Sequence, residues 1–317
     1  MIVVAALAAA GCEGKRDVAG VDASASASAS ASASPIASAT ASATSHAVSG
    51  TGTGTGRDGG LVICKVMASE GGPSASADAT GWLEVGAKAS FTVRTLETGR
   101  ELRFEGPGKM RACGDDVALV AEGSAVGLPG SGEAPGAEQW VATACGAARW
   151  ASGVHRFAAA RDACKLQSSL GTAHLYLAED VTAEDVAVDG GAPLAGDGGP
   201  TGTDAGAGAG RSSWRRIDAR RAIRLQGHGP LDTPAAVKSA LASCERAAQT
   251  VQRLATTMAS GDAGAPGIGE LAAESVVARG IARAACSVAA VRIALSGSKA
   301  PDQTRLDAAN STWRSPR

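Results

Sequence analysis

The chain is poor in aromatic residues. Three Phe, one Tyr and five Trp make up 3% of 317 residues, so any core must be built mainly from Val, Leu and Ala. Histidine is scarce as well, with four residues. No G-x-S-x-G and no H-E-x-x-H occurs, and no Cys or Ser stands at the spacing from a His that a nucleophilic family uses. The opening apolar run, Ile2 to Ala10, falls short of the roughly 20 residues of a membrane-spanning helix. From Ala23 to Gly56 there is no Asp, Glu, Lys or Arg at all. That tract reads ASASASASASAS, then PIASATASATS, then TGTGTG, and has almost no apolar surface to offset the entropy of ordering its backbone. An enzyme is therefore not expected, and neither is an ordered N-terminal region.

What is present at the start is an apolar segment of the length of a secretory h-region, followed by small residues. Ala9-Ala10-Gly11 stand directly before Cys12. This resembles the lipobox of bacterial lipoproteins, in which the cysteine is diacylated on sulfur and becomes the new N-terminus. Two features depart from that pattern: Ala9 stands where a leucine is usual, and no Lys or Arg precedes the apolar run. The resemblance implies a signal peptide over 1–11, lipidation of Cys12, and a disordered Ala/Ser/Thr/Gly-rich tether over 12–60. As a flexible coil, the stretch from Glu13 to Gly59 spans about 40 Å. GTGRDG (Gly54 to Gly59) satisfies G-x-G-x-x-G, but a dinucleotide fingerprint needs a strand before it and here low-complexity coil precedes it.

The cysteine count agrees with export. Seven cysteines leave one over in an oxidising compartment. With Cys12 set aside for lipid, Cys64, Cys113, Cys145, Cys164, Cys244 and Cys286 can form three disulfides.

Residues 61–188 read as a β-rich domain. LVICKVM (Leu61 to Met67) is a β-branched run of strand length. Phe91, Val93 and Thr95 alternate with Thr92 and Arg94; after the turn at 97–100, Leu102 and Phe104 alternate with Glu101, Arg103 and Glu105. That period of two predicts a hairpin with one wet face. DVALVAEG, EQWVATAC, GVHRFA and AHLYLAE add further short strands between Gly- and Asp-rich turns. Strands so spaced predict a sandwich, a barrel or a rolled sheet. The spacing of VGAKASFTV (85–93), ELRFEGP (101–107), VALVAEG (117–123) and WVATACGAARWASG (140–153) resembles the FecR-type extracytoplasmic domain. Here Thr143-Ala144-Cys145-Gly146 lacks that family's proline, and Ser152-Gly153 replaces its Gly-Thr. FecR-type proteins relay outer-membrane receptor signals to a sigma factor through a cytoplasmic segment and a membrane span. The resemblance implies a fold and a compartment more than that signalling role.

Residues 189–212 are Gly-rich and read as a linker. The basic stretch RSSWRRIDARRAIRLQGHG follows, after an acidic approach that includes Glu179, Asp180, Glu184, Asp185 and Asp189. Neutralisation by that upstream acid competes with a contact to anionic lipid, polysaccharide or an acidic partner. Within 213–300, Thr233 caps a helix with Pro234 at its first position. Positions 237, 241, 244, 248, 251, 255 and 258 form one apolar stripe along it. A second helix, from about 270 to 295, is apolar on two faces, which predicts packing on both. In an antiparallel hairpin Cys244 and Cys286 fall at the same height, which pairs them. Cys64, Cys113, Cys145 and Cys164 allow three connectivities; proximity favours Cys64–Cys113 with Cys145–Cys164. Residues 301–317 read as a disordered tail.

Cys145, His155, Cys164 and His174 recur about every ten residues, yet zinc ligands come in closer pairs, so a disulfide is preferred and neither a metal nor a cofactor is expected. Glu101 and Glu105 flank Arg103 and read as an ion-pair ladder. The sequence thus predicts a FecR-like β-rich sheet or sandwich followed by an antiparallel α-helical hairpin, behind a disordered tether. It also predicts a non-catalytic cell-envelope protein, periplasmic or on the outer membrane, with an envelope protein as partner and no nucleic acid. The alternative is a module that binds an envelope glycan or a small ligand through Trp82, Trp140 or Trp150 as stacking platforms, which requires them to be exposed.

Overall fold

The computed structural model describes residues 64–70, 76–77, 81–95, 101–111, 117–128, 138–186, 214–260, 267–297 and 300–314. The chain divides into two units, 1–45 and 46–317. The first lies wholly outside the described residues, and so do Cys12, Cys113, the tether, the 97–100 turn and the Gly-rich linker.

Alternation of apolar and polar residues builds two eight-stranded sheets. The first contains β1 (Cys64–Glu70), β4 (Ser90–Thr95), β5 (Glu101–Glu105), β8 (Gly123–Leu128), β11 (Val154–Ala159), β12 (Ala163–Leu170), β16 (Arg221–Gly227) and β14 (Val181–Val186), in that order. The second contains β15 (Trp214–Ile217), β13 (Ala173–Leu177), β10 (Gly146–Trp150), β9 (Gln139–Ala142), β7 (Ala118–Val120), β6 (Gly108–Arg111), β3 (Leu83–Val85) and β2 (Ser76–Ala77). Strands pair antiparallel except β7 with β9.

The β4–β5 hairpin shows how the period of two sets the register. Phe91 faces Phe104 and Val93 faces Leu102, all four are buried, and the two phenylalanine rings stack at 4.9 Å. The alternate residues Arg94, Glu101, Arg103 and Glu105 are half-buried on the opposite face. There Arg94 pairs with Glu101, and Glu105 receives Arg103 at 3.7 Å and Arg156 at 2.6 Å. The first sheet thus has one wet face carrying an ion-pair ladder.

Three helices follow: α1 (Pro234–Ser260), α2 (Ile268–Ser296) and α3 (Ala300–Arg314). Thr233 caps α1, its hydroxyl accepting the Ala236 N–H at 3.2 Å. Gly297 ends α2 in the left-handed region at φ 61°, where a Cβ costs energy. The two apolar faces of α2 go to different partners. One meets α1, and the other lies against β7, β9 and β10 of the second sheet. Those strands are therefore covered on both sides, and every residue of β7 and β9 is buried. The architecture is a sandwich with a helical layer on one sheet.

Two boundaries differ from the sequence reading. The basic stretch, set with the helices, supplies β15 to one sheet and β16 to the other. Its Ile217, Ala222, Ile223 and Leu225 are buried, and this apolar content draws it into the sandwich. The expected tail is instead α3, because Leu306, Ala309 and Trp313 recur at three- and four-residue steps and bury one face on α1 and α2. Among the described residues no helix is long and apolar enough to cross a membrane.

Candidate functional site

The polar groups converge where the helices meet the sandwich. Arg292 lies amid the apolar run Val288 to Leu295, is 0% exposed, and would be untenable there without partners. It has four hydrogen bonds from its five N–H groups. Nη2 donates to Asp180 Oδ1 at 2.6 Å, and Nη1 donates to Asp180 Oδ2 at 2.8 Å and to the Ala236 carbonyl at 3.0 Å. Nε donates to the Ala144 carbonyl at 2.9 Å. Asp180 sits at the corner where the chain leaves β13 in one sheet for β14 in the other. Ala144 lies in the β9–β10 turn, and Ala236 in the first turn of α1. One guanidinium therefore fastens α2 to both sheets and to α1. Burial of the Asp180 carboxylate would raise its pKa, but the hydrogen bonds and charge of Arg292 outweigh that and hold it below its ordinary value. The main chain closes the corner further, as His228 N–H donates to the Asp180 carbonyl at 3.0 Å.

Beside this clamp Tyr176, Asp180, Ser239, Ser243, Ala285 and Arg292 line a cavity of about 10 Å³. That is room for a single water and far below a small-molecule pocket. Tyr176 is buried over its edge, and burial, with Glu179 nearby, pushes the phenol up to about 12.

Two disulfides reinforce the same region. Cys145 in the β9–β10 turn bonds to Cys164 on β12, joining the sheets across the sandwich with Cα atoms 6.2 Å apart. Cys244 on α1 bonds to Cys286 on α2 with Cα atoms 4.6 Å apart. Ala240, Ala248, Ala282, Ala285 and Ala289, all buried, let the helix axes come that close. All four cysteines are at most 4% exposed. The backbone of Cys64 pairs with Thr95 at the sheet edge; the Cys64–Cys113 pairing lies outside the described residues.

The bonded sulfurs separate the Cys145/His155/Cys164/His174 set. His155 is buried inside the sandwich, and His174 lies within the influence of Arg149, Glu138, Arg216 and Asp218 on the second sheet. Burial first and Arg149 second hold the His174 pKa low. Among the described residues no group of three or more His, Cys, Asp or Glu is placed to hold a metal ion.

The tryptophans are structural. Trp82 and Trp140 are 5% exposed and Trp150 1%, which overturns their reading as glycan-stacking platforms. Trp140 meets Trp214 edge-on at 5.4 Å, and the Arg149 guanidinium lies over both rings at 5.6 and 4.8 Å. Arg283 from α2 covers Trp140 at 5.0 Å. This cluster glues α2 to the second sheet through cation–π contacts. Part of the basic stretch meets the upstream acid: Arg215 pairs with Asp185 at 2.8 Å, and Glu184 stands opposite Arg224 in the β14–β16 register, while Arg216 pairs with Asp218 at 2.9 Å.

The Arg292–Asp180 clamp was missed in the sequence, although a lone arginine between Val291 and Ile293 was its signal. Arg292 was legible as a buried charge; Asp180, 112 residues away, was not legible as its partner.

No protein-family model and no curated protein matches the sequence. Two crystal structures of a candidate anti-sigma factor from Parabacteroides distasonis are similar to this chain at 19% and 18% identity. Each match covers 32% of this chain and 49% of the other, with a TM-score of 0.25. The chain thus spans about half the length of those structures, and a likeness at that TM-score carries no functional argument. Two buried disulfides are the chemistry of an oxidising, extracytoplasmic compartment.

Proposed function

We propose that the protein is a lipid-anchored component of the bacterial cell envelope that acts without catalysis, as a scaffold or sensor, through contacts with another envelope protein. The observation that carries this reading is the pair of buried disulfides, Cys145–Cys164 and Cys244–Cys286, which suit an oxidising compartment. The lipobox-like Ala9-Ala10-Gly11-Cys12 and the charge-free tract behind it supply the anchor and the tether. The polar chemistry described at the helix–sheet seam is spent on holding elements together, leaving the wet face of the first sheet and the outer faces of the helices for contact. The resemblance of 85–153 to the FecR-type domain supports the same compartment.

The test is the intact mass of membrane-extracted protein, with and without reduction. A chain beginning at Cys12 with added acyl mass, and six thiols alkylated only after reduction, is the expected result. Crosslinking in intact cells then identifies the partner. An unlipidated chain whose thiols are free before reduction would remove both the anchor and the compartment.

A further inference from the structure

The sandwich core also buries a histidine that the clamp does not use. His155 on β11 is 0% exposed and sits 5.0 Å from the ring of Trp150, which is itself 1% exposed. Its Nε2 lies 2.9 Å from the Ser152 carbonyl, so Nε2 carries the hydrogen and donates it. Nδ1 is then a bare acceptor, and it is buried with no hydrogen-bond partner. The side chains around it are uncharged: Trp150 on β10, Ser152 in the β10–β11 turn, and Ser168 opposite it on β12. Gly127 stands opposite on β8. No carboxylate from any of these elements faces the ring to compensate a proton.

His155 also occupies a delicate place in the backbone. The β11–β12 ladder slips register between Val154 and His155. Gly153, at φ +111°, lies so close to Leu170 that a Cβ there would strike both the Leu170 carbonyl and His155 Nε2. Ser168 is buried and donates its hydroxyl to the Gly171 carbonyl at 3.1 Å. Two turns, 151–153 and 171–172, are thus pressed together at one end of the sandwich, with His155 and Trp150 beneath them. Leu170 beside them is already 61% exposed.

We propose that His155 is an acid-operated latch: a proton on Nδ1 creates a buried cation and an N–H with no acceptor, and releases this end of the sandwich. Neutral imidazole holds the end shut, and protonated imidazole gains water only by leaving the core. Burial also disfavours the cation, so His155 titrates below its ordinary value, against a smaller opposing effect of the Ser152 carbonyl. This inference goes beyond the scaffold reading and stands on the sandwich alone, so failure of the lipid anchor would leave it intact.

The experiment is hydrogen exchange of the full chain from pH 7.5 to 5, corrected for intrinsic rates, comparing wild type with His155→Gln. In wild type, protection over 150–157 and 166–172 falls by up to about tenfold per pH unit below the imidazole value of about 6.5. Protection over β7 and over α1 stays flat. The His155→Gln variant loses the local pH dependence. An equal fall in both proteins, no fall in wild type, or a simultaneous loss over the whole chain would each overturn the latch. Should His155→Gln fail to fold, imidazole NMR on wild type decides, since the chain has only four histidines. His155 must titrate in step with the local opening, and opening without its titration overturns the proposal.

Discussion

Arg292 is the residue on which the joint between helices and sandwich depends. Arg292→Met keeps the volume but leaves the Asp180 carboxylate and the Ala144 and Ala236 carbonyls without their donors. Breaking a buried pair from one side costs about 3–5 kcal/mol; Asp180 is 29% exposed and reaches water, which places the expected loss near about 3 kcal/mol. Urea denaturation at neutral pH checks it. The folded pKa of Asp180 is lowered, so the pair's stabilisation is present above the ordinary carboxylate value of about 3.9 and is lost as pH falls through the folded value. The variant has less of this acid limb to lose. Tyr176 offers a clean optical check, being the chain's one tyrosine. Its folded phenol ionises at about 12, against about 10 when unfolded. Absorbance at the tyrosinate band should stay flat through pH 10 to 11 in the folded protein and rise there in urea. Stability falls as pH rises above about 10, because the unfolded chain releases a proton that the folded one keeps.

At the scale of the element, α3 is the finding that corrects the sequence reading. Nothing in its composition sets it apart from a tail: its exposed side carries Gln303, Thr304 and Asp307. What makes it a helix is one buried stripe, Leu306, Ala309 and Trp313, with Arg305 tied to Glu245 of α1 at 2.9 Å. Helices of this length are marginal alone, so the docking decides. Trp313→Ala should cost about 3 kcal/mol, the low end for such a truncation, and circular dichroism with hydrogen exchange should show 300–314 losing protection before α1 does. The α1–α2 hairpin is the opposite case. Its capping threonine, its stripe and the matched heights of Cys244 and Cys286 were all readable, because helical periodicity is a local property. The α1 stripe also ran further in sequence than in structure: Met258 is 37% exposed. Periodicity reports which residues share a face, not where the opposing surface ends.

For the whole molecule, the two strands of the basic stretch matter most. β15 joins β13, and β16 lies between β12 and β14, so the sheets are incomplete until the chain has passed the Gly-rich segment. A protease site inserted near Gly206 should therefore yield two pieces that co-elute on size exclusion and separate only in denaturant. No disulfide among the described residues crosses that point, since Cys145–Cys164 lies before it and Cys244–Cys286 after it. Separation of the pieces in native buffer would mean that β15 and β16 are not integral to the sheets. The sequence placed a boundary here because a run of glycine and a run of arginine look like an interruption. Tertiary pairing overrides both, since Asp185 on β14 pairs with Arg215, Glu184 stands opposite Arg224, and the apolar neighbours of these arginines fill the core.

The sequence by itself determined what depends on neighbouring residues. The alternation that makes the β4–β5 hairpin and the helical hairpin with its capping threonine are of that kind. Only the tertiary structure decided what depends on residues far apart in the chain. Arg292 found Asp180, the three candidate tryptophan platforms were buried, and a tail and a basic stretch became a helix and two strands. Local propensity is written in a few consecutive residues; burial and ion pairing are properties of surfaces that meet only when the chain has closed on itself.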